Sequence, residues 1–309
     1  MKILITGACG LLGAHLTALF SRRHQVTGTD RHFWWGDQPV ELVSGELGGA
    51  SFMEGLVKKT APDCVIHCAA VTNVDLCERD PALAHAVNAD LTRRLAQAVS
   101  PRCLFVYIST DGLFQGDKPM VTEEDPPLPR TIYGRSKLQG EQEVRLACER
   151  HLIIRTNFYG WSSGRKATFA EWLYEALESK QQITLFEDFF FTPIYVVDLA
   201  ERLGALIEAG CTGLFHVAGA QRVSKEAFGK QLAGAARFSL ENVQRGTLKQ
   251  ASLAADRPRD MSLSSERFFR TTGITVPGCK DGILHFLRDR GRPLSARFNR
   301  SGELLVKPA

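Results

Sequence analysis

Tyr133 and Lys137 stand four residues apart in the run TIYGRSKLQGEQEVRLACE, whose good helix formers predict a helix carrying both on one face, one turn apart. A phenol with its ordinary pKa of about 10 holds its proton too tightly to trade it near neutrality. An ammonium held close by favours the phenolate and lowers that value. The pair then forms a tuned acid, able to protonate the oxygen of a carbonyl under reduction. A surface pair with no chemistry would show the same spacing. Ser109-Thr110-Asp111 follow the apolar run Leu104-Phe105-Val106-Tyr107-Ile108, which reads as a buried strand. Hydroxyls where a central parallel strand gives out are placed to bond a substrate carbonyl, whereas a Ser/Thr turn closing the strand is the plainer reading.

These side chains need a scaffold, and the N-terminal stretch supplies one. Lys2 to Thr6 reads as a strand, Gly7-Ala8-Cys9-Gly10-Leu11-Leu12-Gly13 follows at once, and AHLTALFSRR has helical character. Glycines spaced G-x-x-G-x-x-G between strand and helix give a tight turn, close approach of a pyrophosphate and close helix–sheet packing. The helix N-terminus then turns free N–H groups toward that pyrophosphate. A second strand, roughly Gln25 to Thr29, ends at Asp30. An acidic residue here bonds the adenosine ribose hydroxyls and favours NADH, while Arg31 beside it suits a 2′-phosphate, so NADH and NADPH both stay open. Cys64 to Ala70 reads as a buried strand ending in Cys68, Ala69 and Ala70, small enough for a cofactor to lie against the backbone. His67 within it is read as a satisfied core histidine. A long helix is expected from about Pro81 to Val99, carrying Asn88.

The bulk numbers narrow the partners. The chain has 309 residues and a net charge of only +4, with no Lys/Arg-rich block or aromatic-basic array, so nucleic acid is not an expected partner. The longest apolar runs are too short for a bilayer, and MKILITG reads as a strand without a signal peptide's cleavage region. Eight cysteines are scattered, Cys64, Cys68 and Cys103 among them in apolar runs, and no C-x-x-C pair occurs. Neither a metal site nor a disulfide framework is suggested, which points to a reduced, cytoplasmic protein.

After Leu152 to Thr156, the last clear strand of a first lobe, the composition shifts. TFAEWLYEALESK is an amphipathic helix with Phe169, Trp172, Leu173 and Leu177 as a core stripe, and Trp34 and Trp35 read as anchors of a loop over His32 to Val43. Phe189-Phe190-Phe191 cannot all be buried on one strand face, so either loop packing or stacking on a nucleobase accounts for at least one of them. Tyr195 to Ala209 reads as strand then helix, LFHVAG as a return strand, and Ser224 to Ala236 as a helix. In Asp256-Arg257-Pro258-Arg259-Asp260 the arginines either grip phosphate or pair with the flanking aspartates. The basic tail from Gly291 is expected to be partly disordered.

On ITGACGLLG, HCAAVTNVDLCE, VYISTDGLFQG, YGRSK, LIIRTNFYG, GLFHVAG and RPRDMSLSSERF, from Met1 to about Pro277, the chain resembles the extended short-chain dehydrogenase/reductases. More narrowly it is similar to their dTDP-4-dehydrorhamnose reductase branch. The resemblance implies an α/β fold: a Rossmann-like, doubly wound parallel sheet over 1–156, with 194–218 returning to it. A smaller substrate-binding lobe would span 157–193 and 219–309. It implies Thr110, Tyr133 and Lys137 as the catalytic set, with Lys137 also binding the nicotinamide ribose. NADPH or NADH would lie on Gly7, Cys9, Gly10, Leu11, Leu12 and Gly13, with Asp30, Arg31, Leu47, Cys68, Ala69, Ala70 and Asn88 completing its site. Asp111, Phe158 and Arg257 would contact a nucleotide-sugar substrate. Where the branch usually has Tyr, an aromatic and Trp, this chain has Gly112, Val71 and Phe158, which alters contacts to the sugar. The implied reaction is NAD(P)H-dependent reduction of a 4-keto group on a nucleotide-activated deoxysugar. An epimerase or dehydratase that retains its NAD, and a non-catalytic regulatory subunit, are the alternatives. The oligomeric state stays open, a homodimer being compatible.

Overall fold

The structure is a computed structural model that describes residues 1–298 apart from 33, 35, 38, 39, 165, 166 and 252–254. Its strands in chain order are β1 (Lys2–Thr6), β2 (Gln25–Asp30), β3 (Glu41–Ser44), β4 (Cys64–His67), β5 (Leu104–Ile108), β6 (His151–Arg155), β7 (Phe158–Tyr159), β8 (Ile183–Phe186), β9 (Phe190–Phe191), β10 (Ile194–Tyr195), β11 (Gly213–His216), β12 (Val223–Ser224) and β13 (Val243–Gly246). The helices are α1 (Leu11–Phe20), α2 (Ala50–Thr60), α3 (Val74–Arg79), α4 (Pro81–His85), α5 (Leu91–Ala98), α6 (Ile132–Ala147), α7 (Phe169–Glu178), α8 (Val196–Glu208), α9 (Lys225–Ala236), α10 (Glu266–Thr272), α11 (Cys279–Arg288) and α12 (Leu294–Arg297).

Seven strands form one parallel sheet in the order β11-β6-β5-β4-β1-β2-β3. Register runs Ile3↔Val26 and Ile3↔Cys64 about the central strand, then Cys64↔Leu104 and Phe105↔His151 outward. The inner strands β4 and β5 are buried at every position, as a sheet covered on both faces requires. One face packs under α1 and α8 through Leu12, Leu16, Leu199 and Leu203, the other under α2, α5 and α6 through Met53, Leu56, Leu95 and Val144. The order reverses between β1 and β4, and the crevice there, beyond the strands' C-terminal ends, is where such sheets bind ligands. The return strand joins as expected, β11 pairing with β6 from Gly213↔Leu152.

Two expectations change. The loop over 32–43 ends in an edge strand, β3, whose pattern ELVS buries neither end. Trp34 packs half-buried against the core, and Trp35 lies outside the described residues. The long helix is two helices separated by a π-helical turn, Ala86–Asp90, and π turns cluster at functional sites. At the start of the tail Leu294 and Phe298 are buried, and Arg297 donates to the Trp161 carbonyl at 3.0 Å and meets His15 Nε2 at 3.0 Å. Residues 299–309 lie outside the described set.

Helix α6 is drawn unusually tightly onto the sheet. An added Cβ at Gly140 would stand 2.2 Å from the Tyr107 hydroxyl and 2.4 Å from the Asn88 carbonyl in the π turn. Buried polar bonds reinforce the contact. Ser109 donates to Glu141 at 2.6 Å, and Arg155 donates to both Glu141 oxygens at 2.9 and 2.8 Å. Gly140→Ala is therefore expected to cost about 1–3 kcal/mol through overpacking, read as a lowered Tm. Gly234→Ala, at a helical position with no neighbour within 4 Å, should leave Tm equal or higher.

Candidate active site

Helix α6 opens on Thr131, whose hydroxyl accepts from the Gly134 N–H at 3.1 Å and starts the helix just before Tyr133. Tyr133 and Lys137 then face one cavity, as their spacing predicts. Lys137 is 2 % exposed, donates from Nζ to the Ile108 carbonyl at 2.7 Å, and lies 4.0 Å over the Tyr107 ring. At the end of β5, Thr110 donates to Asp111 Oδ1 at 3.1 Å and accepts from the Gly112 N–H at 3.1 Å. Asn157 Nδ2 donates to the other Asp111 oxygen at 2.6 Å.

Electrostatics here differ from the expectation of a depressed phenol. Burial pushes the Tyr133 phenol above its usual range; the Thr110 hydroxyl opposes this and Asp111 adds to it. Burial also draws the Lys137 ammonium down to about 7, with Glu141 pulling the other way. The reason is that desolvation penalises both charged forms before either can help the other. A phenol so raised holds its proton firmly in the resting site, and an alkoxide formed beside it is a base strong enough to take that proton. Burial likewise brings Asp111 up to about 6 against the pull of Asn157 and Thr110.

The cavity measures about 900 Å³, the size of a substantial ligand site. Its wall includes Gly7, Cys9, Gly10, Leu11, Leu12, Gly13, Cys68, Ala70, Thr110, Asp111, Phe158 and Arg257, so most residues expected from sequence converge. Ala69 is not on the wall but packs its backbone against the glycine turn: Gly7 has φ +65°, and an added Cβ would stand 2.8 Å from Ala69 N. A Cβ at Gly13 would stand 2.1 Å from the Gly7 carbonyl. Helix α1 begins after Gly10 with no side-chain cap and no acidic residue in its first turn. This cradle of glycine backbone and helix N–H groups fits a dinucleotide's pyrophosphate.

Other candidates sit differently. Leu47 is a core residue packed with Met53 and Leu56, not part of the wall. Asn88 is fully buried and exchanges hydrogen bonds with the Val71 N–H and carbonyl at 2.9 and 3.0 Å, also donating to Ser136 at 3.0 Å. It thus braces the loop after Ala70 instead of facing the cavity. Asp30 is clamped by the Cys9 and His32 N–H groups at 2.9 and 3.0 Å, while Arg31 is exposed and His32 takes its place on the wall. His67 is the core histidine expected, bonded to Thr6 at 2.6 Å and Thr92 at 3.1 Å. Phe169 and Phe189 line the cavity, which their places in a helix stripe and an aromatic triplet did not show. Trp172 of that stripe is exposed, while Leu173 and Leu177 are buried. Phe190 lies under Arg222 at 3.5 Å, so the triplet is packed beneath cations.

A seven-stranded Rossmann-like sheet with a glycine cradle at its switch point is the fold of an extended short-chain dehydrogenase/reductase, an NAD(P)-dependent oxidoreductase. Residues 1–291 match the family model described as the RmlD substrate binding domain, and the chain belongs to that family. It is 30% identical over 292 residues to a probable low-salt glycan biosynthesis reductase of Haloferax volcanii, covering 92% of this chain and 96% of that one. It is 33% identical over 233 residues to dTDP-4-dehydrorhamnose reductase of Mycobacterium tuberculosis, covering 72% of each. Among solved structures, dTDP-4-dehydrorhamnose reductase from Bacillus anthracis in complex with NADP superposes with a TM-score of 0.83 at 30% identity, covering 94% of this chain and 100% of that one.

Two outcomes follow from this electrostatics. Lys137 titrates near 7 when folded and near 10.5 when unfolded, so between those values the unfolded chain binds the extra proton and stability rises with pH. Lys137→Met lacks that rise. Its Tm relative to the parent should therefore fall between pH 6.5 and 9.5; a constant difference would mean that the ammonium is not desolvated. Separately, Asp30→Ala should weaken NADH more than NADPH in direct binding titrations, because a fixed carboxylate suits ribose hydroxyls and repels a 2′-phosphate.

Proposed function

We propose that the chain uses NAD(P)H to reduce a keto group on a nucleotide-activated deoxysugar, the 4-keto position by likeness to the reductases it matches. The observation carrying this reading is the convergence of Thr110, Tyr133 and Lys137 on the cavity that also holds the glycine cradle. Residues 1–156 with 194–218 are inferred to hold the dinucleotide, and 157–193 with the segments after 219 to close over the sugar. The cytoplasm, which supplies reduced nicotinamide and activated sugars, is the proposed location.

When bound, the reduced cofactor supplies hydride to the carbonyl carbon. Thr110 turns its hydroxyl from Asp111 to the carbonyl oxygen, where negative charge develops. Tyr133 gives its proton to that oxygen, and the phenolate left behind favours the ammonium form of Lys137. One proton taken up from solvent then restores the phenol. Asp111 and Phe158 contact the sugar. Arg257 addresses the diphosphate: it lines the cavity, its Nη2 lies 3.0 Å from Asp75, and its buried Nε has no acceptor among the described residues. The flanking aspartates are occupied elsewhere, Asp256 with Arg130 and Asp260 with Arg222. Arginine's fork suits phosphate oxygens.

Net oxidation of NAD(P)H with a nucleotide-linked 4-keto sugar is the direct test; turnover without net oxidation would indicate an epimerase or dehydratase instead. Tyr133→Phe should bind cofactor normally and lose roughly two or more orders of magnitude in turnover. Arg257→Ala should raise the KM for the nucleotide-sugar strongly while sparing the Kd for NAD(P)H. An unchanged KM would make Arg257 only a partner of Asp75.

A further inference from the structure

Lys225 is the first residue of α9, following the cap Ser224. Its position is unfavourable to a cation in three ways. A positive charge at a helix N-terminus opposes the helix dipole. Its ammonium lies 3.5 Å over the Phe191 ring, 3.9 Å over Phe169 and 5.3 Å over Phe189, faces that attract a cation but accept none of its three hydrogen bonds in the ordinary way. Arg257 is near enough to repel it. Among the described residues no acidic oxygen lies within ion-pair distance of Lys225 Nζ, and Asp111, the acid that most influences it, spends its oxygens on Thr110 and Asn157. Burial accordingly draws Lys225 down to about 7.

Two of the three rings that hold the ammonium, Phe169 and Phe189, line the substrate cavity, as does Arg257. The backbone ties these parts together, since Lys225 N–H donates to the Phe189 carbonyl at 3.0 Å. Two cations from distant segments, near enough to repel one another, become favourable when an anion lies between them. A diphosphate brings at least two negative charges, and Arg257 alone, already shared with Asp75, leaves part of them unmatched.

We propose that Lys225 is a second cation for the diphosphate of the substrate, acting with Arg257 beside the wall formed by Phe169 and Phe189. The proposal rests on the nucleotide-sugar reading above. It makes Phe189 and Phe191 holders for a phosphate-binding ammonium and not a nucleobase platform.

The test is calorimetric titration of cofactor-saturated enzyme with dTDP and, separately, with UDP. Lys225→Met should weaken whichever nucleotide binds the parent more tightly by roughly ten- to hundredfold, the effect of losing a hydrogen bond to a charged group. Lys225→Arg should retain most of the affinity, and the Kd for NAD(P)H should not move. Methionine fits an aromatic pocket, so Tm is expected to stay within a few degrees; Lys225→Gln carries the same expectation should the methionine variant misfold. Unchanged nucleotide affinity with a raised KM for the nucleotide-sugar would assign Lys225 to the sugar and overturn the proposal. Unchanged affinity and unchanged KM would make it a packing residue and overturn the proposal equally. A parent protein that binds neither nucleotide and turns over no nucleotide-sugar would overturn the substrate reading itself, and this proposal with it.

Discussion

An ammonium that is almost wholly buried governs the architecture of this site. Lys137 can stay there only because the Ile108 carbonyl accepts from it and the Tyr107 ring lies beneath it, which ties α6 to the C-terminal end of β5. That tie sets where Tyr133, one turn earlier, meets Thr110 at the strand's end. It also explains Gly140, because a side chain on that face would push the helix away from Tyr107 and the π turn.

Around this contact the protein spends polar groups where an apolar core would be simpler. Glu141 and Arg155 are buried and paired, with Ser109 as a third member. Asn88 links the π turn to the Val71 loop and to Ser136 on α6. Each bond is directional, so together they set the angle and height of α6 against the sheet more narrowly than aliphatic packing does. Sub-ångström placement of the acid relative to the carbonyl depends on such angles.

The region after β6 is built on another principle. Tyr159, Trp161, Tyr195, Phe228 and Phe286 interlock, Trp161 stacking on Phe286 at 4.1 Å. Cations lie over the outer rings, Arg222 over Phe190 and Lys225 over Phe169 and Phe191. Arg222 is also paired with Asp260, whereas the rings hold the Lys225 charge without neutralising it.

What the sequence determined by itself is what depends on neighbours along the chain. Strand β1, the glycine loop and α1 follow from an apolar run, three glycines and a helical stretch in succession. The one-turn spacing of Tyr133 and Lys137, the hydroxyls ending β5 and the core placement of His67 are equally local. Tertiary structure decided the rest, because it depends on which distant atoms exclude water. Spacing alone points the Tyr133 shift in the wrong direction, since it shows the nearby ammonium but not the desolvation that outweighs it. Leu47 and Asn88 have types compatible with a cofactor wall, and only packing shows one in the core and the other bracing a loop. The ordered turn Leu294–Arg297 is legible only from its docking on His15 and Trp161. Arg257 meets Asp75 across 182 residues and shares a cavity wall with the rings under Lys225, a juxtaposition that no local pattern encodes.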